Sequence, residues 1–298
     1  MFSIWFGLIV GAVLGSFIKA IADRSLQNRS FFGRSNCQRC NKNIAWYDLF
    51  PIISFLILRG KCRNCGKNIG KEYVLVEVVS AVIFAFFFFQ IFKTFPGTEN
   101  LLKLTLFLAD LATKTFFITI LLILTITDLK KMLIPDRVIL PSLLILGALL
   151  VLFTGYKIWY LYYSLSQNPI GLYLLPPHSD YFIRHVLAII DPLKWSFLML
   201  VLISGFFITL ILITKGKGMG GGDVKLGAFM GLGLGFPGAL VGIMVAFFSG
   251  AIISLFLIAF RKKSFGESVP FGPFLVLGSV IALFWQTAII NWYLNLSF

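Results

Sequence analysis

Apolar runs long enough to cross a lipid bilayer dominate this chain and restrict the architectures open to it. A helix needs about 20 residues to cross a hydrocarbon core roughly 30 Å thick. Six windows have about that length or more, at residues 2–22, 73–92, 101–127, 138–156, 195–214 and 271–294. A backbone in hydrocarbon must satisfy its own hydrogen bonds, so these windows predict transmembrane helices. Hydrophobic residues make up 58% of the chain, which excludes an ordinary soluble domain.

A seventh apolar stretch, residues 224–260, is too long for one crossing and short for two. The sequence GLGLGFPG at residues 231–238 interrupts it near the middle, where glycine and proline favour a turn. We therefore predict an all-α polytopic membrane protein with about eight transmembrane helices. The alternative is one tilted helix followed by a surface segment.

The charged residues predict how the chain is oriented. The formal net charge is +14, and residues 23–72 hold ten basic and three acidic residues. Basic loops stay on the cytoplasmic side, so this segment is expected inside and the chain starts outside. Counting crossings places residues 128–137 and 215–223 inside and residues 157–194 outside. Two crossings over residues 224–260 also return the basic residues 261–263 to the cytoplasm.

All four cysteines lie in that basic segment, as two C-x-x-C pairs. Cys37 and Cys40 form the first pair, and Cys62 and Cys65 form the second. Two such pairs at this separation predict one tetrahedral zinc site, which would hold a small loop in its fold. Two disulfides or a redox pair are the alternatives, and the first needs an oxidising compartment. A basic zinc loop also suggests nucleic acid, but aromatic residues that would stack bases are not interleaved with the charges. We expect contact with membrane lipid and no nucleic acid.

Aspartates near the ends of the apolar windows are the candidate catalytic groups. Asp128 closes the third window and Asp223 opens the sixth helix, whereas Asp110 can pair with Lys114 and Asp136 is placed to cap a helix. Four glycines precede Asp223, among them Gly220 and Gly222, which would let a substrate backbone come close. Two carboxylates that share one proton carry out aspartyl protease chemistry. A proton-coupled transporter is the alternative, although it has no evident use for a zinc loop.

Several of these segments together resemble the type IV prepilin peptidases, which are bifunctional leader peptidases and N-methyltransferases. The segments are GAVLGSFIKAIADR (residues 11–24), the four-cysteine segment 37–77, TDLKKMLIPD (residues 127–136), GMGGGDVKLG (residues 218–227) and VPFGPFL (residues 269–275). Taken together they cover most of the chain. The aromatic segment 156–195 departs from the short outer connection expected of the family.

The resemblance implies functions for particular residues. Asp128 and Asp223 would be the catalytic pair of a G-x-G-D aspartyl peptidase, with Gly220 and Gly222 shaping the second motif. Gly60 and Lys61, before the third cysteine, would be candidates for the methyl-transfer site. The cofactors would be zinc and S-adenosylmethionine, and the location the bacterial plasma membrane.

The implied substrates are prepilin or pseudopilin precursors, cut after a leader glycine at the cytoplasmic face and then N-methylated. The predicted divisions are a first transmembrane helix at residues 1–22, a cytoplasmic zinc-binding domain at 23–72 and a transmembrane peptidase domain at 73–298. The alternatives are a peptidase without methyltransferase activity and a non-enzymatic zinc-bearing membrane receptor.

Overall fold

The structure is a computed structural model that describes residues 2–31, 33–37, 39–40, 42–97, 101–216, 219–260 and 269–296. The basic residues 261–263, used above for orientation, lie outside these ranges. The chain forms two compact units, Met1–Phe95 and Pro96–Phe298. Secondary structure in the described part is helical apart from two isolated β-bridges.

The first unit pairs two long helices across a seam of glycines. Helix α1 (Phe2–Leu26) packs against α3 (Lys71–Ile91), and the short α2 (Ile53–Ile57) lies in the loop between them. Gly7, Gly11 and Gly15 recur every fourth residue on α1, so they share one face. A Cβ atom at these glycines would lie 2.6–2.8 Å from Cα atoms of α3. Only glycine allows this approach, as in the small-residue interfaces of membrane helices.

The second unit is a bundle of five long helices. They are α4 (Leu101–Lys131), α5 (Asp136–Ser166), α7 (Tyr181–Thr214), α8 (Gly221–Ala259) and α9 (Gly272–Leu296), with the short α6 (Pro169–Leu172) between α5 and α7. Its core contains stacked rings of Phe117 and Phe229, whose centroids are 5.2 Å apart. Across the described ranges of both units, seven helices are long and apolar enough to cross a membrane.

Helix α8 is two segments joined at a sharp break. Gly235 (φ 60°, ψ −166°) and Phe236 (φ −90°, ψ 140°) leave the helical region, and Pro237 follows. Glycine adopts a positive φ at little cost, which explains why residue 235 is glycine. The break falls inside the predicted GLGLGFPG turn.

The contacts on each side of the break show that the chain reverses direction. In the first segment Gly231 packs against the backbone of Met199 in α7. In the second, Gly238 lies against Gln286 in the second half of α9, and Gly250 lies against Phe274 near its start. The second segment therefore runs back toward the first turn of α9. With α8 counted as two segments, the described residues of the two units together hold eight long helical segments, which agrees with the prediction of about eight crossings, although residues 221–234 extend only about 21 Å.

The aromatic segment 156–195 is mostly helical. Helix α5 continues to Ser166 and α7 begins at Tyr181, so these 31- and 34-residue helices measure about 47 and 51 Å. Both exceed the roughly 30 Å core of a bilayer. The connection between long helices is therefore confined to residues 167–180, which is shorter than the sequence indicated.

Candidate active site and metal centre

Asp128 is a buried carboxylate in the last turn of α4. Only 6% of its surface is exposed. Its Oδ2 accepts a 2.9 Å hydrogen bond from the backbone N–H of Gly272, the first residue of α9. The N–H groups of a first helical turn have no partner within their own helix. The start of α9 therefore supplies a fixed donor that orients this carboxylate.

Asp223 lies in the first turn of α8 and is partly exposed. Its Oδ2 accepts the N–H of Gly220 at 3.2 Å, while its own N–H donates to the Gly220 carbonyl at 3.1 Å. The carboxylate thus occupies the third position of the helix and reaches back to the N-cap residue. Asp223 is not itself the N-cap.

Asp128 and Asp223, 95 positions apart in the sequence, lie at the same end of the bundle. Their carboxyl groups are close enough to interact electrostatically. The Asp128 carboxylate is buried and accepts a hydrogen bond from the first residue of α9. The Asp223 carboxylate accepts one from the N-cap residue of its own helix and lies beside exposed glycines. Two interacting carboxyl groups can divide the work of a base and an acid between them.

The glycines before Asp223 differ in what surrounds them. Neither Gly220 nor Gly222 has a positive φ, so neither position requires glycine for its backbone angles. A Cβ at Gly222 would lie 3.2 Å from the side chain of Ile134, whereas one at Gly220 or Gly221 would meet almost nothing. Gly222 therefore allows close packing on the LIPD segment. The other two leave open space beside Asp223.

The two remaining aspartates form ion pairs. Lys114 donates to Asp110 at 2.7 Å within α4, as predicted. Asp136 does not cap α5, because Pro135 is the N-cap and no side-chain cap bond is present. Instead it pairs with Lys225 in the first turn of α8. This contact ties the start of α5 to the start of the helix that carries Asp223.

Gly272 is the site residue that sequence reasoning missed. A Cβ there would lie 2.5 Å from Oδ2 of Asp128, so a larger residue would displace the carboxylate. The available signal was the Gly-Pro pair within VPFGPFL, because proline at the start of a helix marks its N-terminus. The motif alone did not indicate which side chain that N-terminus contacts.

The four cysteines converge in the first unit. The Sγ atoms of Cys37, Cys40, Cys62 and Cys65 all lie within 4.8 Å of one another, and those of Cys37 and Cys65 are 4.0 Å apart. Zinc–sulfur bonds of about 2.3 Å place tetrahedral sulfurs about 3.8 Å apart. The sulfurs are thus slightly more open than a bound zinc requires, and all four thiols are free.

The two cysteine turns share backbone pairings that recur 25 residues later in the chain. Cys37 N–H donates to the Lys42 carbonyl at 3.0 Å, and Cys62 N–H donates to that of Lys67 at 2.9 Å. The β-bridge of Asn36 with Asn43 recurs between Lys61 and Asn68. The spacing therefore encodes two equivalent turns, each offering two thiols to one centre.

The thiols differ in acidity. Backbone hydrogen bonds from Cys40 and Arg39 lower the pKa of Cys37 to about 7. A hydrogen bond from the Lys67 backbone amide lowers the pKa of Cys65. Burial and the other three thiols have a larger opposite effect and raise this pKa to about 11. Cys37 is therefore the thiol that ionises more readily, and a metal must displace protons from the cluster.

Gly60 and Lys61 lie at the entrance to the second cysteine turn. Gly60 is buried with φ +69°, and a Cβ there would lie 2.9 Å from the ring of Phe55. Lys61 is exposed. Their assignment to methyl transfer stays a prediction.

A cavity of about 800 Å³ lies in the first unit between the helices and the cysteine loop. Phe55 is one of its lining residues, and Gly60 lies next to the ring of Phe55. Gly60 and Lys61 do not line the cavity. The helix wall carries Asp23, Glu72 and Glu77, and the loop wall carries several arginines. Cavities of about 300–1,000 Å³ are typical of small-molecule sites.

Comparison with known proteins gives matches in both units. The family model for the bacterial peptidase A24 N-terminal domain matches residues 9–91. The family model for the type IV leader peptidase family matches residues 115–255. A prepilin leader peptidase/N-methyltransferase of Aeromonas salmonicida (strain A449) is 32% identical over 262 residues, or 88% of this chain and 75% of that protein. The protein of the same name from Bacillus subtilis (strain 168) is 28% identical over 300 residues, which cover 100% of this chain and 99% of that protein. No solved structure matches.

These matches include both the cysteine segment and the two aspartate motifs, and the Aeromonas protein is similar over most of its length. The helical fold and the cluster of four cysteines are those expected from the sequence. The chain belongs to the type IV prepilin peptidase family.

Proposed function

We propose that this protein cleaves the leader peptide of type IV prepilin-like precursors and then methylates the new N-terminus. The observation that carries the peptidase assignment is the pair Asp128 and Asp223 at one end of the bundle, next to the open surface at Gly220 and Gly221. The family membership and the names of the relatives support both activities.

In the proposed mechanism, the two aspartates divide the work of an acid and a base. One ionised carboxylate takes a proton from water, and the resulting nucleophile attacks the carbonyl carbon of the leader glycine. The other carboxyl, protonated, donates to the carbonyl oxygen. The C–N bond then breaks as the first aspartate gives its proton to the leaving amine, and the carbonyl re-forms as the other aspartate takes its proton back. The Gly272 N–H holds Asp128 in place. The exposed glycines leave room for an extended substrate backbone beside Asp223.

The methyl donor in this proposal is S-adenosylmethionine. It carries a carboxylate, an ammonium and a sulfonium, and the 800 Å³ cavity offers charges of both signs. Glu72 on the helix wall would hold the ammonium, and Arg34 and Arg39 on the loop wall would hold the carboxylate. When bound, it supplies a methyl group bonded to a positive sulfur. Zinc on the four cysteines would keep the loop wall folded.

We further propose that the cysteine loop and the two aspartates face the cytoplasm of a bacterium. The basic composition of residues 23–72 supports this orientation. Catalysis at this face would leave the apolar part of the precursor in the membrane, and the leader in the cytoplasm.

Mass spectrometry of a prepilin N-terminus after co-expression tests both activities together. We expect the leader to be lost and the new N-terminal residue to be heavier by one methyl group. Cleavage without methylation would leave only the peptidase. An uncut precursor, with the protein shown to be in the membrane, would refute both activities for that precursor.

A further inference from the structure

Three of the four carboxylates that line the cavity of the first unit have basic partners. Asp23 accepts two hydrogen bonds from Lys19, at 2.9 and 2.7 Å. Glu72 lies 3.3 Å from the same ammonium, and Asp48 pairs with Arg63 at 2.7 Å. The fourth carboxylate is Glu77, and among the described residues no lysine or arginine forms an ion pair with it.

Glu77 is nevertheless buried, with 8% of its surface exposed. It lies on α3 opposite Gly15, whose missing side chain lets α1 approach. A buried carboxylate without a counter-charge is costly, and a bound cation would offset that cost. The cavity therefore contains a position that favours a cationic group.

The surroundings of Glu77 hold it in place. Its Oε2 accepts the backbone N–H of Ile52 at 2.8 Å. Ile52 has φ +60° and ψ −51°, a conformation rare for a β-branched residue. Such strain persists where surrounding contacts enforce it, and it is frequent at functional sites. The hydrogen bond fixes both the strained loop and one oxygen of the carboxylate.

An apolar cleft of about 540 Å³ adjoins the cavity. It lies between α1 and the loop segment that leads to Ile52, and it shares Ser16, Ala20 and Leu49 with the cavity. Val13, Phe17, Trp46 and Phe50 supply much of its lining. A ligand with an apolar segment and a cationic end could occupy both spaces at once.

We propose that Glu77 binds the amine that is methylated, with the apolar residues behind that amine in the adjoining cleft. This inference rests on the proposed methyltransferase function and assigns its acceptor site. The product of leader cleavage has this chemistry, because it begins with a free ammonium followed by an apolar helix.

Glu77 would then act as the proton acceptor for the reaction. Its carboxylate takes one proton from the ammonium, leaving a neutral amine with a lone pair. That lone pair forms the new N–C bond with the donor's methyl group while the S–C bond breaks and its electron pair stays on sulfur. The products are a secondary ammonium, a neutral thioether and a protonated Glu77, so charge and protons balance.

Binding of two peptides that differ only at the N-terminus tests this assignment without turnover. Both carry the apolar sequence of a mature pilin, one with a free amine and the other acetylated, and binding is measured in detergent without donor. Wild-type protein should bind the free amine at least about tenfold more tightly, as for a hydrogen bond between charged groups. Glu77→Gln should lose that preference. Glutamine can still accept the Ile52 N–H, so the loop should keep its zinc.

Glu72→Gln is the matched control, because Glu72 is on the same helix and lines the same cavity. It should retain the preference for the free amine while weakening donor binding, measured by calorimetry with S-adenosylhomocysteine. Glu77→Gln should lose the preference for the free amine and keep donor binding. An undiminished preference in Glu77→Gln, or none in the wild type, would overturn the proposal. If the wild type neither binds donor nor methylates, the methyltransferase function fails, and the peptide comparison still decides the role of Glu77.

Discussion

Asp128 occupies a position that is electrostatically unfavourable for an acidic residue. It lies in the last turn of α4, where the carbonyl ends of the helix carry partial negative charge. The N-terminal turn of α9 faces it with a backbone N–H from Gly272, and the partial positive charge of that turn offsets the local repulsion. The position of α9 is therefore part of the proposed peptidase site.

Replacing Gly272 with alanine should disable this arrangement. The added Cβ would lie 2.5 Å from the carboxylate oxygen, so Asp128 or α9 must move, at a cost of about 1–3 kcal/mol. We expect cleavage to fall at least about tenfold, since small displacements of catalytic groups are costly. Gly205→Ala in α7 is the control, because a Cβ there meets nothing within 4 Å. Equal cleavage rates for the two variants would contradict this account.

Asparagine at Asp128 or Asp223 should abolish cleavage. Asparagine keeps the shape of the side chain but cannot ionise, and general acid–base groups contribute about 100- to 10,000-fold to rate. The measurement is processing of a prepilin by each purified variant, with folding checked by zinc content and chromatography. Asp110→Asn removes a charge from the Lys114 pair on the same helix and should retain most activity. Full cleavage by Asp223→Asn would refute its proposed role.

Much of this site could be predicted from the sequence because its chemistry lies in short motifs. Both Asp128 and Asp223 adjoin helix ends that the predicted crossings place on the same side of the membrane. The contacts that orient the site could not be predicted in the same way. Gly272 is 144 residues from Asp128, and Lys225 is 89 residues from Asp136. Such pairings depend on how the helices pack, which no local pattern specifies.

The cysteine loop contains two turns with the same backbone pairings. Its turns share backbone hydrogen bonds and present two thiols each, but the loop has few regular elements. A segment of this size builds little core without a metal.

One zinc ion per chain is therefore expected in the purified protein. Cys37→Ser or Cys62→Ser should lower the zinc content and make the loop sensitive to protease, because three ligands hold the metal less tightly. Metal analysis and limited proteolysis check these effects. Ser35→Ala, next to the first turn but outside the ligand set, is the control. Wild-type protein without zinc would contradict the assignment.

The long helices were predictable as elements because apolar length is a strong local signal. The break in α8 was also predictable, since glycine and proline at residues 231–238 favour a turn. The ends of α5 and α7 were harder to predict from the sequence. The apolar windows end at residue 156 and resume at residue 195, yet the aromatic residues beyond them continue the helices to Ser166 and from Tyr181.

At the scale of the whole molecule, the orientation of the second unit can be tested by labelling. We expect Gln167→Cys to react with a membrane-impermeant maleimide in intact cells, because the α5–α7 connection should face outward. Thr214→Cys, at the far end of α7, should react only after lysis. Both side chains are exposed in the structure, so a difference would report the side of the membrane. The reverse pattern would invert the proposed topology.

The glycine seam between α1 and α3 has a consequence for the order of events during biosynthesis. The seam residues Gly7, Gly11 and Gly15 contact α3 directly, and none of them belongs to the cysteine loop. The two helices can associate as soon as α3 leaves the ribosome and enters the membrane, before any metal arrives. In zinc-starved cells we expect newly made protein to be inserted but cut by protease within residues 27–70, and later zinc to protect it without new synthesis. Metal loading would then be a maturation step of a protein already in its membrane.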